Sequence, residues 1–222
     1  MNASQSTAAI ILAAGSSSRM GEGRHKLLLP LASRPVLAHV IEAALASQAR
    51  PILVVLGHNA SEVRAQISPY TTQPGIILLE NTGYMKGMST SMRLGLEFLI
   101  TIDIPPGSSS PDSALIMLGD QPLITPQIID NLIKARYTTG KRIIAPLYDG
   151  KRGSPVLFDA SFFPELLEVT GDEGGRSILE RHREEVGIIE VADAMANYDM
   201  DTWEAYQSVL KAWESKDDFR TE

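Results

Sequence analysis

The chain has 222 residues and no cysteine, a length that suffices for one large domain or two small ones without disulfide bonds. Hydrophobic residues make up 44% and charged residues 21%, a composition that excludes a disordered or fibrous protein. The formal net charge of −7 argues against nucleic acid or an anionic membrane surface as the main partner.

The first predicted element follows a flexible N-terminus, residues 1–7, which lacks the basic residues of a signal peptide. Residues 8–13 form a short continuous apolar run, which is typical of a strand buried on both faces. No apolar run approaches the roughly 20 residues that a membrane-spanning helix requires. The sequence therefore predicts a cytoplasmic protein, monomeric or weakly oligomeric, that binds neither nucleic acid nor membrane.

Strands and helices then alternate along the chain. Asn59 is expected to cap a short helix with Glu62 as its reciprocal partner, and Thr125-Pro126 is a typical helix start. Residues 105–112 are rich in proline, glycine and serine and are expected to form an exposed loop. The other predicted strands are 51–56, 75–80, 113–118, 143–147, 155–158 and 186–191, and the other helices are 35–48, 89–99, 126–137, 162–168, a short one from Arg176, and 202–215.

This order predicts a single α/β domain over residues 8–215, followed by a charged tail, 216–222, that we expect to fray. Apolar strands joined by helices form a mostly parallel sheet with helices on both faces, a three-layer Rossmann-like fold. In such sheets the ligand lies beyond the carboxyl ends of the strands. The candidate site is therefore the loop after Ala13, the loop after Glu80 and the turn after Leu118.

The loop after the first strand has the composition of an anion-binding site. The small residues at 13–16 allow backbone N–H groups to approach an anion closely. Arg19 adds a fixed fork of donors, and Lys26 adds a mobile point charge. The glycine fingerprints of dinucleotide-binding and P-loop proteins are missing from this loop, which argues against an NAD enzyme. The alternative is a flexible surface loop whose two basic residues are solvated.

Carboxylates follow the fourth predicted strand and precede the last helix. Asp120 comes directly after a buried strand, where it is well placed to hold Mg²⁺; the alternative is an aspartate that starts a turn. Asp199 and Asp201 offer a second carboxylate and point to one side if the backbone there is extended. Asp201 could instead cap the last helix, with Glu204 as the reciprocal residue.

Polar residues at the start of the predicted helix 89–99 could serve a nucleotide. Ser89 and Ser91 could donate to a base or a phosphate, and Arg93 could serve a substrate phosphate. Equally, Ser89 could cap the helix and Arg93 could be solvated. The four histidines have no metal-ligand spacing and are expected to be structural or solvated.

Four segments together resemble the signature of the nucleotidyltransferases, and within them that of the molybdenum cofactor cytidylyltransferases. They run in the family's order and cover nearly the whole chain. The segments are L-A-A-G-S-S-S-R-M-G at 12–21 with K-L-L-L-P-L at 26–31, G-M-S-T-S-M-R-L-G at 87–95, L-G-D-Q-P at 118–122, and N-Y-D-M-D-T at 197–202.

The resemblance implies a nucleotidyltransferase fold of the GT-A-like kind and transfer of CMP from CTP to the terminal phosphate of molybdopterin, with release of pyrophosphate. It implies Mg²⁺ or Mn²⁺ as the cofactor and a molybdenum hydroxylase as a recipient of the product. Ala14 stands where the related guanylyltransferases carry a glycine, which implies CTP rather than GTP.

The resemblance also implies roles for individual residues. Arg19, Lys26 and Asp120 would be catalytic, and Asp120 and Asp201 would hold the metal. An acceptor side is implied at Ser154, Asp172 and Arg176, where Ser154 replaces a histidine that the family often has. The implied nucleotide-binding residues are Ala13, Ala14, Gly15, Ser16, Arg19, Lys26, Gly87, Ser91 and Asp120.

Two alternatives accompany this interpretation. One is a nucleotidyltransferase with another phosphorylated acceptor, such as a sugar phosphate or a polyol phosphate. The other is a non-catalytic accessory protein that binds molybdenum cofactor. Arg19, Lys26 and Asp120 favour an enzyme, because a carrier would not need groups that neutralise a triphosphate.

Overall fold

The computed structural model of the chain describes residues 6–21, 23–102 and 110–218. Most of the predicted flexible N-terminus, most of the loop predicted at 105–112 and the last four tail residues lie outside the described residues. The strands are β1 Thr7–Ala13, β2 Pro30–Leu31, β3 Arg34–Pro35, β4 Ile52–Leu56, β5 Ile76–Glu80, β6 Ser113–Leu118, β7 Ile143–Tyr148, β8 Lys151–Arg152, β9 Val156–Asp159 and β10 Val186–Val191. The helices are α1 Val36–Ala46, α2 Ala60–Gln66, α3 Ser68–Thr71, α4 Met88–Thr101, α5 Pro126–Thr139, α6 Phe163–Leu167, α7 Arg176–Arg181 and α8 Trp203–Asp218.

The central sheet has the strand order β10-β7-β9-β6-β1-β4-β5. β1 lies near its middle, pairs in parallel with β4 and β6, and is buried at all seven residues, as its apolar sequence predicts. β9 runs antiparallel between β6 and β7, and β8 forms an antiparallel hairpin with β7. The predicted mostly parallel sheet is confirmed, and its carboxyl-terminal edge brings together the loops that follow β1, β4, β5 and β6.

Helices cover both faces of the sheet, which confirms the three-layer fold. Helices α1, α2 and α5 pack on one face, and α4, α6 and α7 pack on the other. Gly95 allows α4 to lie directly on β1, because a Cβ there would come within 2.6 Å of Ile10 Cγ2. A smaller apolar cluster joins α8 to the β2–β3 ribbon through Leu31, Tyr206 and Val209. Among the described residues, no helix is both long enough and apolar enough to cross a membrane.

Three local predictions at element ends are corrected by the structure. Thr7 belongs to β1 and not to a flexible terminus, since it is buried and its hydroxyl lies 2.8 Å from Ser113 Oγ. The reciprocal cap at α2 is wrong: Asn59 has a left-handed backbone (φ 50°), a conformation that asparagine tolerates well, and its side chain caps no N–H of the helix. Thr202, not Asp201, caps α8 by accepting from Ala205 N at 3.2 Å, and α8 continues past the predicted end at 215.

Candidate active site

A cleft of about 760 Å³ opens at the carboxyl ends of β1, β4 and β6. The loops predicted to form the site meet there. Asp199 lines the cleft together with all the residues that the sequence assigned to nucleotide or metal, namely Ala13, Ala14, Gly15, Ser16, Arg19, Lys26, Gly87, Ser91, Asp120 and Asp201. The prediction of one site from three separate loops is therefore matched by a single cavity.

Lys26 connects the two carboxylates on which the metal prediction depends. Its Nζ donates to Asp120 Oδ2 at 2.5 Å and to Asp201 Oδ1 at 2.6 Å. The exposed fraction is only 15% for the Lys26 side chain and 9% for the Asp120 side chain, so solvent screens this pair weakly. Burial lowers the pKa of Lys26, but the charges of Asp120 and Asp201 outweigh it and leave the pKa above its usual value. Lys26 is therefore a cation held by two anions.

Arg19 extends this cluster toward solvent. It forms an ion pair with Asp201 at 2.9 Å, and its side chain is 72% exposed. Burial raises the pKa of Asp201, but the hydrogen bond and charge of Lys26 and the charge of Arg19 bring it below the usual value. The two basic residues predicted to neutralise a triphosphate thus meet at one carboxylate.

The loop that carries Arg19 and Lys26 is held at both ends. Its turns use positive φ angles at Ser17 (56°) and Gly21 (88°). Ser17 Oγ accepts a hydrogen bond from Lys26 N at 3.0 Å. The Arg24 guanidinium lies over the Trp203 ring, 4.2 Å from its centroid. The loop therefore has contacts with its own backbone and with α8, and both of its predicted basic residues have ion-pair partners.

The segment before α8 is attached to the turn after β6, which brings its aspartates to Asp120. Met200 N donates to the carbonyl oxygen of Asp120 at 3.2 Å, and Gln121 Nε2 donates to Asp199 Oδ1 at 2.7 Å. Desolvation in the cleft and the charges of Asp120 and Asp201 raise the pKa of Asp199 to about 6. Asp199 therefore lies among like charges, which favours its neutral form.

We expect Asp199→Asn to raise the melting temperature at pH 8 but not at pH 4. Because the folded-state pKa is above the ordinary 3.8, stability that is present below about pH 4 is lost as the pH rises through about 6. The asparagine stays neutral and can still accept from Gln121. Because solvent in the open cleft screens the Asp199 charge, we expect a shift in melting temperature of only a few degrees. A difference between the two proteins that does not change with pH would contradict this prediction.

The other end of the cleft is lined by aromatic side chains. His58 N donates to the Ala14 carbonyl at 3.1 Å, and His58 Nδ1 lies 3.2 Å from the Tyr84 hydroxyl. The His58 ring is stacked near His25, with centroids 5.7 Å apart. The prediction that these histidines are structural or solvated missed that His58 lines the cleft. Its position two residues after β4 was the signal that could have found it.

Residues after β5 orient Ser91 toward the cleft. Asn81 Nδ2 donates to Thr90 Oγ1 at 2.8 Å and to Ser91 Oγ at 2.9 Å. Ser89 is buried at the second residue of α4 and does not cap that helix. Arg93 donates to the Val169 carbonyl at 3.3 Å and lines neither of the two large cavities of the described chain. Of the three polar residues predicted here, the structure brings only Ser91 into the site.

A second cavity, of about 1010 Å³, adjoins the first and contains the predicted acceptor residues Ser154, Asp172 and Arg176. The two cavities share Asp172, whose Oδ1 accepts from Met88 N at 2.9 Å. Asn197 Oδ1 accepts from Ser154 N at 3.1 Å and so ties this cavity to the segment that carries Asp201. A molecule in the second cavity would therefore lie next to one in the cleft.

The donor set of the cleft fits a hard divalent cation. Asp120 and Asp201 present carboxylate oxygens that already converge on one positive charge. No three histidine, cysteine, aspartate or glutamate side chains of the described residues form a group that could hold a metal alone. Mg²⁺ needs only one or two carboxylates when phosphate oxygens supply further ligands. The residues thus suit a metal that binds together with a phosphate compound.

Comparison with known proteins places the chain among NTP transferases. Residues 9–186 match the family of MobA-like NTP transferase domains. The crystal structure of Rv0371c from Mycobacterium tuberculosis H37Rv is 26% identical, covers 93% of this chain and 98% of its own, and superposes with a TM-score of 0.76. The same protein has been solved in complex with manganese, with 25% identity over 93% of this chain and 99% of its own and a TM-score of 0.72.

Two other proteins share less of the sequence or less of the length. The nucleotidyl transferase Mth528 from Methanothermobacter thermautotroptrophicus is 21% identical over 95% of this chain and 99% of its own, with a TM-score of 0.78, which indicates the same fold. The bifunctional protein GlmU from Acinetobacter baylyi is 34% identical over 134 residues, or 60% of this chain. The chain spans about a quarter of the length of that protein (26%).

Proposed function

This chain belongs to the family of MobA-like NTP transferase domains, and we propose that it transfers CMP from CTP to the terminal phosphate of a molybdopterin-type acceptor. Its class, nucleotidyltransferase, follows from the family. The observation that carries the proposal is the division of the cleft into two ends. The charged end holds Lys26, Asp120 and Asp201, and the aromatic end holds His58, Tyr84 and the Ser91 hydroxyl.

This division suits a nucleoside triphosphate. The triphosphate would lie at the charged end, where Lys26 and Arg19 would neutralise it. The cytidine would lie at the aromatic end, near Ala14 and Ser91. A divalent cation, Mg²⁺ or Mn²⁺, would be held by Asp120 and Asp201 and would supply further neutralisation of the phosphates. Hard oxygen ligands and a phosphate substrate are what such a cation prefers.

The reaction would be a direct in-line displacement. An acceptor phosphate oxygen, approaching from the second cavity past Asp172, would attack the α-phosphorus of CTP. The bond from the α-phosphorus to the bridging oxygen would break, and pyrophosphate would leave with that electron pair. No protein nucleophile is required, because positioning and charge neutralisation provide most of the catalysis of phosphoryl transfer. The product would then pass to a molybdenum hydroxylase.

We expect CTP to outcompete GTP by at least about tenfold, or about 1.4 kcal/mol. Ala14 matches the form of the first motif that goes with a pyrimidine base. Its Cβ packs against Gly57, since a Cβ added to Gly57 would lie 2.6 Å from the Ala14 Cβ. Competition between the two nucleotides in a pyrophosphate-release assay measures the ratio. A preference for GTP, or none, would refute the cytidylyl assignment and leave the nucleotidyltransferase class intact.

A different phosphorylated acceptor, such as a sugar or polyol phosphate, is the second candidate. Ser154 favours it, because a serine stands where the cytidylyltransferases often have a histidine on the acceptor side. Pyrophosphate release from CTP should be compared with molybdopterin, with a panel of sugar and polyol phosphates, and with no acceptor. Release that depends on molybdopterin supports the first proposal, whereas release that depends only on a sugar phosphate supports the second. No release with any acceptor would support a non-catalytic carrier.

A further inference from the structure

Lys26 occupies the point at which the two metal-ligand candidates converge. Its Nζ is 2.5 Å from Asp120 Oδ2 and 2.6 Å from Asp201 Oδ1. A divalent cation that used the same two oxygens would lie where the ammonium lies. We propose that Lys26 is an internal counter-ion that keeps metal alone out of the site and exchanges partners when metal and triphosphate bind together. This inference rests on the proposed function.

Metal without nucleotide would leave Lys26 without a partner. The Lys26 ammonium and the incoming cation would repel each other in a place that solvent screens weakly, since the Lys26 and Asp120 side chains are largely buried. Moving Lys26 away from both carboxylates would leave an unpaired, partly desolvated charge, which is unfavourable. Arg19, paired with Asp201, adds a second positive charge beside the same position.

Binding of nucleotide without metal is disfavoured because it brings negative charges together. Phosphate groups at the charged end would face Asp120 and Asp201, and Lys26 cannot neutralise the carboxylates and the phosphates together. When metal and triphosphate bind together, each carboxylate exchanges an ammonium or guanidinium for the metal. Lys26 and Arg19 then exchange carboxylates for phosphates, and each of these four side chains keeps a partner of opposite charge.

The loop that carries the two basic residues permits this exchange. Lys26 has a flexible four-carbon stem, and Arg19 is mostly exposed on the same loop. Its anchors, the Ser17 contact to Lys26 N and the Arg24 contact to Trp203, involve neither the Lys26 nor the Arg19 head group. Because binding is linked, metal and triphosphate should each raise the affinity for the other by the same factor.

The test is a titration of the protein with Mn²⁺ in the absence of nucleotide, in which electron paramagnetic resonance measures the concentration of free Mn²⁺. Lys26→Met should bind Mn²⁺ at least about tenfold more tightly than the wild type, because it removes the competing charge. Lys86→Met is the matched control, since it removes an exposed lysine near the same cleft that has no ion pair among the described contacts. Asp120→Asn in the Lys26→Met background should abolish the gain and so locate the ion.

Unchanged or weaker Mn²⁺ binding in folded Lys26→Met would overturn the inference, as would an equal gain in Lys86→Met. If Lys26→Met does not fold, Lys26→Gln is used under the same criteria, because glutamine retains a hydrogen-bond donor for Asp120. The assay contains no nucleotide and no acceptor. A wild type that transfers no CMP would therefore refute the proposed function without touching this result, and an active wild type with no gain in Lys26→Met would refute the inference alone.

Discussion

Replacement of Asp120 by asparagine is expected to lower nucleotidyl transfer by about 10³-fold or more, the scale typical of losing a main electrostatic stabiliser. Asparagine keeps the size and shape of the side chain but removes the negative charge that a hard divalent cation requires. Folding should be little affected, because Lys26 keeps its ion pair with Asp201 and Asp120 holds Met200 through its backbone carbonyl oxygen. Pyrophosphate release measured against Mg²⁺ concentration checks the loss of activity, and a thermal melt of each protein checks that folding is unchanged.

Asp201→Asn is the matched control for this variant. Its side chain is more exposed than that of Asp120 and is shared between Lys26 and Arg19, so we expect a smaller loss of activity. The alternative view of Asp120 as a turn former predicts near-normal activity, since asparagine replaces aspartate in turns almost freely. Metal-dependent transfer that survives in Asp120→Asn would therefore contradict the proposed site.

The sequence predicts the elements that depend on local patterns. The strands 113–118 and 186–191 are confirmed to the residue. The first is a short apolar run that ends at Gly119, whereas Gly187 and Glu190 interrupt the apolar residues of the second. The direction of β9 could not be predicted, since a four-residue strand carries no signal for parallel or antiparallel pairing. The β7–β8 hairpin was missed although a signal existed: Asp149-Gly150 has positive φ at both residues (46° and 76°), as a two-residue type I′ turn requires.

In the candidate site, too, single residues could be proposed from the sequence, but their contacts could not. The sequence proposed Arg19, Lys26 and Asp120 one by one, from the basic residues of the first loop, the end of the strand 113–118 and the resemblance to the nucleotidyltransferases. Their mutual contacts could not be predicted, since Lys26 and Asp120 are 94 residues apart and Lys26 and Asp201 are 175 apart. Those contacts depend on how the segment before α8 returns to the turn after β6, which is a tertiary feature that no local pattern contains.

Lys26→Ala should lower transfer by about 10²-fold or more, and Arg19→Ala should lower it less. Both residues would neutralise the triphosphate, but Lys26 is largely buried and bridges two carboxylates, whereas Arg19 is exposed and contacts one. Lys26→Ala also leaves Asp120 and Asp201 facing each other without a cation, so its melting temperature should fall. Steady-state pyrophosphate release and thermal melts of both variants measure these effects.

Added Mg²⁺ separates the role of Lys26 in stability, as the partner of two carboxylates, from its role in catalysis, as a charge that faces the triphosphate. Because a metal that binds only the folded protein stabilises it, Mg²⁺ should restore much of the melting temperature that Lys26→Ala loses. It should not restore transfer, since the charge that faces the triphosphate is still missing. Arg19→Ala should show little change in melting temperature with or without Mg²⁺, because exposed ion pairs contribute little. Turnover like that of the wild type in Lys26→Ala would contradict the assignment of Lys26 to the triphosphate and leave it only its structural contacts with Asp120 and Asp201.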